Sequence, residues 1–407
     1  MHEATAGSLG RTGALTLVLV AALSANAWAG DGPAGSRAEA GTSIAARAAV
    51  LAAGDAALTR DEQEAAPAAD ANPVVEFFRQ TQITGLVDGY YMWAFNEEPL
   101  ELHTFDVNHN SFSLSYAEIA FAKDPTATSR AGFRFDIGAG DTAEQVNAFE
   151  PGGVDYLKHV QQAYISYLAP VGNGLTIDFG KFVTPHGAEV IENHENFNYS
   201  RGLLFSLAIP FYHAGLRLAY PVSDTVTVTG FLVNGWNNVR DNNEDKTFGA
   251  SLSYSPTDAF SITQNYMAGK EMEAEDGVRH LFDTVVTYTA SDRLDVVANF
   301  DYGRDAVAGV DVDWYGLAAG LRYRLNPQWA FSPRYEIFKD SDGFATGLPQ
   351  TLQGITLTAE YAAPGGLLTR FEFRTDFSDE EYYTKGLGLE KNQSSFRIGL
   401  MYAFGSN

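Results

Sequence analysis

From Ile83 onward the chain repeats with a period of two, and this period constrains its fold more than any other feature. Between Leu367 and Phe377, the residues Leu367, Phe371, Phe373 and Phe377 share one parity with two threonines, while Arg370, Glu372, Arg374 and Asp376 share the other. Successive side chains of a strand point to opposite faces, so one face is apolar and the other charged. The same split sets Phe133, Phe135 and Ile137 against Arg134 and Asp136, and Tyr315, Leu317, Leu321 and Tyr323 against Arg322 and Arg324. Two architectures satisfy the pattern. A soluble sandwich buries the apolar face and wets the other. A transmembrane barrel puts the apolar face in lipid and the charges, Glu372 among them, in a watery lumen.

Linker lengths separate the two. Strands are predicted near 83–95, 111–123, 129–140, 159–169, 175–184, 208–220, 225–235, 247–255, 259–268, 280–289, 294–303, 314–325, 328–338, 351–361, 367–377 and 393–404. Long linkers, at 96–110, 141–158, 185–207, 236–246, 269–279, 304–313, 339–350 and 378–392, alternate with short ones such as Pro256 to Asp258 and Asn326-Pro327. Short turns at one rim and long loops at the other are the pattern of outer-membrane barrels, and a sandwich has no reason to sort its loops. The expected fold is therefore all-β: a transmembrane antiparallel barrel of about 16 strands over 81–407, with short periplasmic turns, long extracellular loops and both ends on the periplasmic side.

The N-terminal part reads differently. Arg11, the apolar run Ala14 to Leu23 and the small-x-small sequence Ala27-Trp28-Ala29 have the order of an export signal over 1–29. Residues 30–80 form an Ala-rich stretch, expected to be a flexible or partly helical periplasmic extension. No other segment approaches the roughly 18 apolar residues of a transmembrane helix, so a membrane form must be a closed barrel. The chain lacks cysteine, which excludes thiolate metal sites, disulfides and cysteine nucleophiles. Its formal net charge of −24 argues against nucleic acid as a partner.

A weak repeat marks the short-turn rim. Tyr167, Tyr220, Tyr254, Tyr288, Tyr323, Tyr361 and Tyr402 stand near the ends of descending strands, each before a turn. A ring with a polar tip suits the membrane–water interface, so these residues are the expected aromatic girdle against outer-membrane lipid. The final strand ends in Tyr402 and Phe404, like the terminal strand read by barrel-insertion machinery, with Gly405-Ser406-Asn407 beyond.

Longer stretches carry a family resemblance: QQAYISYLAPVGNGLTIDFGKFVTPHGAEVIE (161–192), NYSRGLLF (198–205), PFYHAGLRLAYPVSDTVTVTGFLVNGWNNV (210–239), FDVNHNSFSL (105–114) and RYEIFKDSDGF (334–344). With most of 82–404 they resemble the putative β-barrel porin-2 family of OmpL-like outer-membrane porins. The resemblance implies a bacterial outer-membrane channel and brings no catalytic or substrate-binding residue with it.

The longest linker, PHGAEVIENHENFNYSRGLLFSL, follows the fifth strand and is the third long loop. By analogy with porins whose third loop folds inward, it is a candidate constriction. Glu189, Glu192 and Glu195 would oppose lumen-parity residues Arg134, Asp136, Arg217, Arg322, Arg334, Arg370 and Arg374, and Glu189 and Glu192 would share a face if the segment were helical. The plain alternative is a solvated outer loop over a wall of mutually satisfied charges. His186, Glu189 and His194 lack standard metal-ligand spacing, so neither metal nor cofactor is expected. A hydrolase would need Ser200 near His194 or Ser166 near His213, and no G-x-S-x-G occurs. A barrel plugged by 30–80 and serving structure or adhesion is a third reading. The favoured function is a water-filled channel for small hydrophilic solutes or ions, not an enzyme, with a homotrimer as a candidate assembly.

Overall fold

The computed structural model describes residues 77–148, 150, 158–272 and 277–405. The expected export signal at 1–29 and nearly all of the 30–80 extension lie outside the described residues. The strands are β1 (Gln82–Ala94), β2 (Ser111–Lys123), β3 (Ala131–Ala139), β4 (Val160–Ala169), β5 (Leu175–Val183), β6 (Tyr212–Ser223), β7 (Val226–Val233), β8 (Thr247–Thr257) and β9 (Phe260–Gly269). They continue as β10 (Arg279–Ser291), β11 (Leu294–Val307), β12 (Val310–Arg324), β13 (Trp329–Asp340), β14 (Gln350–Ala362) and β15 (Leu367–Ser378), then a small outer hairpin, β16 (Tyr383–Lys385) and β17 (Gly388–Glu390), and finally β18 (Asn392–Gly405).

All but the small hairpin form one closed antiparallel barrel, each strand beside its sequence neighbour and β18 sealing the wall between β15 and β1. Closure pairs Thr84 with Gly405 and Ala94 with Ser395, so no edge is left with open backbone groups. The wall is a single layer, which rules out the sandwich. Its outer face is apolar throughout, with Ile165, Phe179, Phe248, Phe282, Leu317 and Phe371 exposed around the circumference. The 12 to 13 residues of β14 and β15 rise about 3.3 Å each, enough to cross an apolar band about 25 Å tall when tilted.

Two boundaries depart from the expectation. The linker at 304–313 is not a long loop. Val307 pairs with Val310 across a two-residue turn, where Ala308 (φ 50°) and Gly309 (φ 77°) both take the left-handed conformation of a type I′ hairpin. The Val/Asp alternation from Val310 to Asp313 is strand pattern, and its charge made it look like loop. Among the described residues two short α-helices lie in the long loops, α1 (Asp141–Val146) and α2 (Leu203–Leu207), and the sixth strand starts at Tyr212 rather than 208 because α2 and Pro210 precede it.

Candidate pore constriction

The third long loop, residues 184–211 between β5 and β6, lies inside the barrel. Its sequence dictates this. A run of Leu203, Leu204, Phe205 and Ile209 cannot stand in water, and in α2 and the turn after it these side chains pack into a cluster with inner-wall residues that include Leu281, Trp314, Phe338, Leu352 and Met401. Burying each such side chain stabilises the packed state by about 1.5–3 kcal/mol. The lumen therefore holds an apolar core built from this loop and the inner face of the wall.

Polar groups fix the loop's register. Glu372 of β15 accepts from the backbone N–H groups of Tyr199 (2.6 Å) and Ser200 (2.9 Å), and Glu336 of β13 accepts from that of Leu203 (2.8 Å). The Arg370 guanidinium donates to the carbonyls of Asn193 (2.8 Å), Asn196 (2.5 Å) and Asn198 (2.9 Å), and Arg374 donates to that of Arg201 (2.5 Å). On β1, Asp88 receives the Tyr199 hydroxyl (2.8 Å) and the Asn193 amide (3.1 Å). These bonds satisfy irregular backbone that would otherwise be buried without partners.

The candidates thus separate into groups. Glu189 meets a lumen arginine, Arg334, at 2.6 Å, and its second oxygen accepts from the Gly202 N–H at 2.6 Å. Glu189 and Glu192 do not share a helical face, since only Asn193–Glu195 makes a 3-10 turn. Glu192 instead acts electrostatically on Glu118, Asp136 and Arg134 of β2 and β3. Glu195 sits against His194 at 3.5 Å. Arg334, Arg370 and Arg374 are buried beneath the loop, while Arg134 (2.9 Å to Asp136), Arg217 (2.8 Å to Asp178) and Arg322 (paired with Glu360) are bound to wall carboxylates.

Glu372 corrects an expectation. It has lumen parity but does not face water: it is fully buried, under the loop, and also 3.2 Å from Arg397. Glu336 and Glu360 share that parity and were equally readable from it. The first long loop, 95–110, carried no periodic signal, yet it too folds in. His103 lies 2.7 Å from Asp376, Asp106 pairs with Arg397, and the Thr104 hydroxyl donates to Ser206 at 2.5 Å.

Neither serine considered for hydrolysis is set up as a nucleophile. The Ser166 hydroxyl donates to Asp178 at 2.5 Å, and His213 is bonded to Thr184 and the Gly235 carbonyl. Ser200 accepts from Arg334. Of the rim tyrosines, Tyr167, Tyr254, Tyr288, Tyr323 and Tyr402 are exposed on the outer face; Tyr220 and Tyr361 are half-buried, the latter against Trp329 at 4.9 Å.

A family model described as putative beta-barrel porin-2, OmpL-like matches residues 80–404. No curated protein matches the sequence. Among solved structures, OmpT, an outer membrane protein of Vibrio cholerae, is 12% identical with a TM-score of 0.54 over 80% of this chain and 97% of its own. The anion-selective porin from Comamonas acidovorans is 9% identical with a TM-score of 0.56 over 80% and 99%. The outer membrane channel DcaP of Acinetobacter baumannii is 13% identical with a TM-score of 0.52 over 80% and 97%. At such identities these likenesses concern the fold.

Proposed function

The chain belongs to the putative beta-barrel porin-2, OmpL-like family and is a porin of the bacterial outer membrane; on that premise we propose that its third long loop forms the constriction and that the passage prefers cations. The observation that carries the reading is the placement of Glu192. One side of the loop is bound to the wall formed by β13, β14, β15 and β1. Glu192 lies within electrostatic reach of the β2–β3 wall, where Glu118, Asp136 and Arg134 stand. Within that set Asp136 is paired with Arg134 at 2.9 Å and Glu118 accepts from the Tyr116 hydroxyl at 2.9 Å, which leaves half-buried Glu192 as the carboxylate to act on passing ions, and charged side chains around a narrow passage set selectivity. Small hydrophilic solutes would pass between them, sorted by size and charge. We assign no catalytic role.

The supporting test is single-channel recording of refolded protein in a planar bilayer, with the reversal potential taken across a salt gradient. Stepwise conductance with a cation-directed reversal potential is expected. A silent barrel would favour the plugged reading, and an anion-directed potential would reverse the assignment. The rim tyrosines are proposed to stand at the periplasmic membrane interface. A homotrimer is proposed on the likeness to OmpT of Vibrio cholerae, which has been solved in a trimer form; cross-linking in native membranes tests it. Cleavage after Ala29 is proposed too, and N-terminal sequencing of the membrane-inserted protein checks it.

A further inference from the structure

Where the third loop leaves β5, the inner wall carries a row of acidic and amide side chains. Asn265 of β9, Asp283 of β10 and Asp301 of β11 stand in register, Asp283 directly opposite each of the other two. All three are fully buried. Asp283 accepts from the amides of Asn265 and Asn299, each at 2.6 Å. Asp301 is different: its neighbours are Asp283 and Asn299, yet neither of its carboxylate oxygens makes a hydrogen bond of ordinary geometry, and the side-chain oxygen of Asn265 makes none either. Asp301 interacts with Asp283, and no lysine, arginine or histidine pairs with either aspartate among the described residues.

Two carboxylates buried side by side with no cation are among the costliest arrangements a protein interior can hold. Elsewhere in this lumen several buried carboxylates are matched by a guanidinium: Asp376 has Arg374, Glu360 has Arg370, Asp178 has Arg217. Like charges directly opposite across two strands destabilise the sheet unless something positive lies between them. The free acceptors are all oxygens, the ligand type that calcium and magnesium take and that softer metals do not favour.

We propose that Asp283 and Asp301, with the Asn265 side-chain oxygen, hold a hard divalent cation, Ca2+ or Mg2+, inside the barrel wall. The site also secures the foot of the third loop. The Asn265 amide donates to the Pro185 carbonyl at 2.9 Å, and Asn299, bonded to Asp283, accepts the Ala188 N–H at 3.0 Å. An ion here would hold the wall residues to which the loop's first turn is tied.

The test uses full-length barrel refolded in detergent, stripped with EDTA and titrated with CaCl2 and, separately, MgCl2 while binding and thermal unfolding are followed. Wild type is expected to bind one more cation per barrel than Asp301→Asn, to lose thermal stability in EDTA and to regain it on adding metal. The variant should be indifferent to EDTA, with affinity at the site weaker by at least the roughly 10–100-fold that loss of a mere supporting partner costs. Stability of wild type that ignores EDTA and both metals but changes with pH would overturn the proposal, since the pair would then share a proton instead. That comparison needs no variant, so it decides the matter even if Asp301→Asn does not fold. Asp301→Glu, which keeps the carboxylate, should retain the EDTA response; binding equal in wild type and Asp301→Asn would equally defeat it.

Discussion

Phe371 and Glu372 are adjacent on β15 and meet opposite surroundings. Phe371 is 37% exposed on the outer face, while Glu372 is wholly enclosed and receives two backbone N–H groups, the Thr358 hydroxyl and Arg397. Parity was legible in the sequence and assigned each to its side of the wall. What parity could not give is what lies beyond the wall, because a lumen residue facing water and one lying beneath an inward loop have the same pattern. The consequence is testable. Phe371→Arg should cost about 2–4 kcal/mol near mid-membrane. Glu372→Ala should cost a comparable amount, because it leaves two buried N–H groups without an acceptor, at about 1–3 kcal/mol each, and takes one of Arg397's two carboxylate partners. Urea unfolding in lipid vesicles gives both numbers. Channel recordings distinguish their causes: Glu372→Ala should raise open-channel noise as the loop loosens, and Phe371→Arg should not. A silent Glu372→Ala would mean that the loop is not held by this carboxylate.

The strands were the most legible elements, since each repeats one instruction many times over. The alternation located all 16 barrel strands within a few residues, and turn residues at the short rim fixed their order. Loops were legible only by length. The third loop's helix α2 has just five residues and no periodic repeat to show itself, and its place depends on contacts with strands more than 100 residues away in sequence. The first loop was equally opaque, and its hold on the wall carries a pH prediction. Burial pushes the Asp106 carboxyl up, but Arg397, helped by His103, pulls harder and leaves it below its ordinary value of 3.8. A carboxylate depressed in the folded state binds its proton more readily when unfolded. Its contribution is therefore complete above the ordinary value and is lost as pH falls through the depressed one. Acid below about pH 4 should release the first loop before the hydrogen-bonded wall gives way. Limited proteolysis with pepsin at pH 3, with cuts mapped, should show cleavage within 95–110 while the barrel stays protected. Cleavage spread evenly over all the long loops would remove Asp106 from that role. Neutral-pH topology has its own check: a protease site inserted at 241–243 should be cut on intact cells, and one at 257–258 should not.

At the scale of the whole molecule, the net charge of −24 says little about selectivity, because most charges are too far from any one passage to act on it. Screening leaves a reach of about 8 Å at physiological ionic strength, so only groups lining a narrow stretch count. Most of the lumen charge is also spent internally. Arg334, Arg370 and Arg374 bind the loop or wall carboxylates, Arg217 binds Asp178, and Glu189 is taken by Arg334 and Gly202. The arginine rows that would have argued for anions in the sequence are thereby largely neutralised, Arg134 by Asp136 among them, and the proposed balance falls to Glu192. A unit charge about 4 Å from a passing ion is worth about 1 kcal/mol in water, roughly fivefold in local concentration. Removing that carboxylate should then lower the cation-to-anion permeability ratio by about twofold to fivefold. Glu192→Gln is the variant that tests this, since it leaves the loop's anchoring bonds to the wall intact. Glu189→Gln is its counterpart, expected to weaken the loop's hold on Arg334 while leaving the reversal potential nearly where it was. If Glu189→Gln moves the reversal potential and Glu192→Gln does not, the passage runs along the Arg334 side of the loop and the assigned filter is wrong.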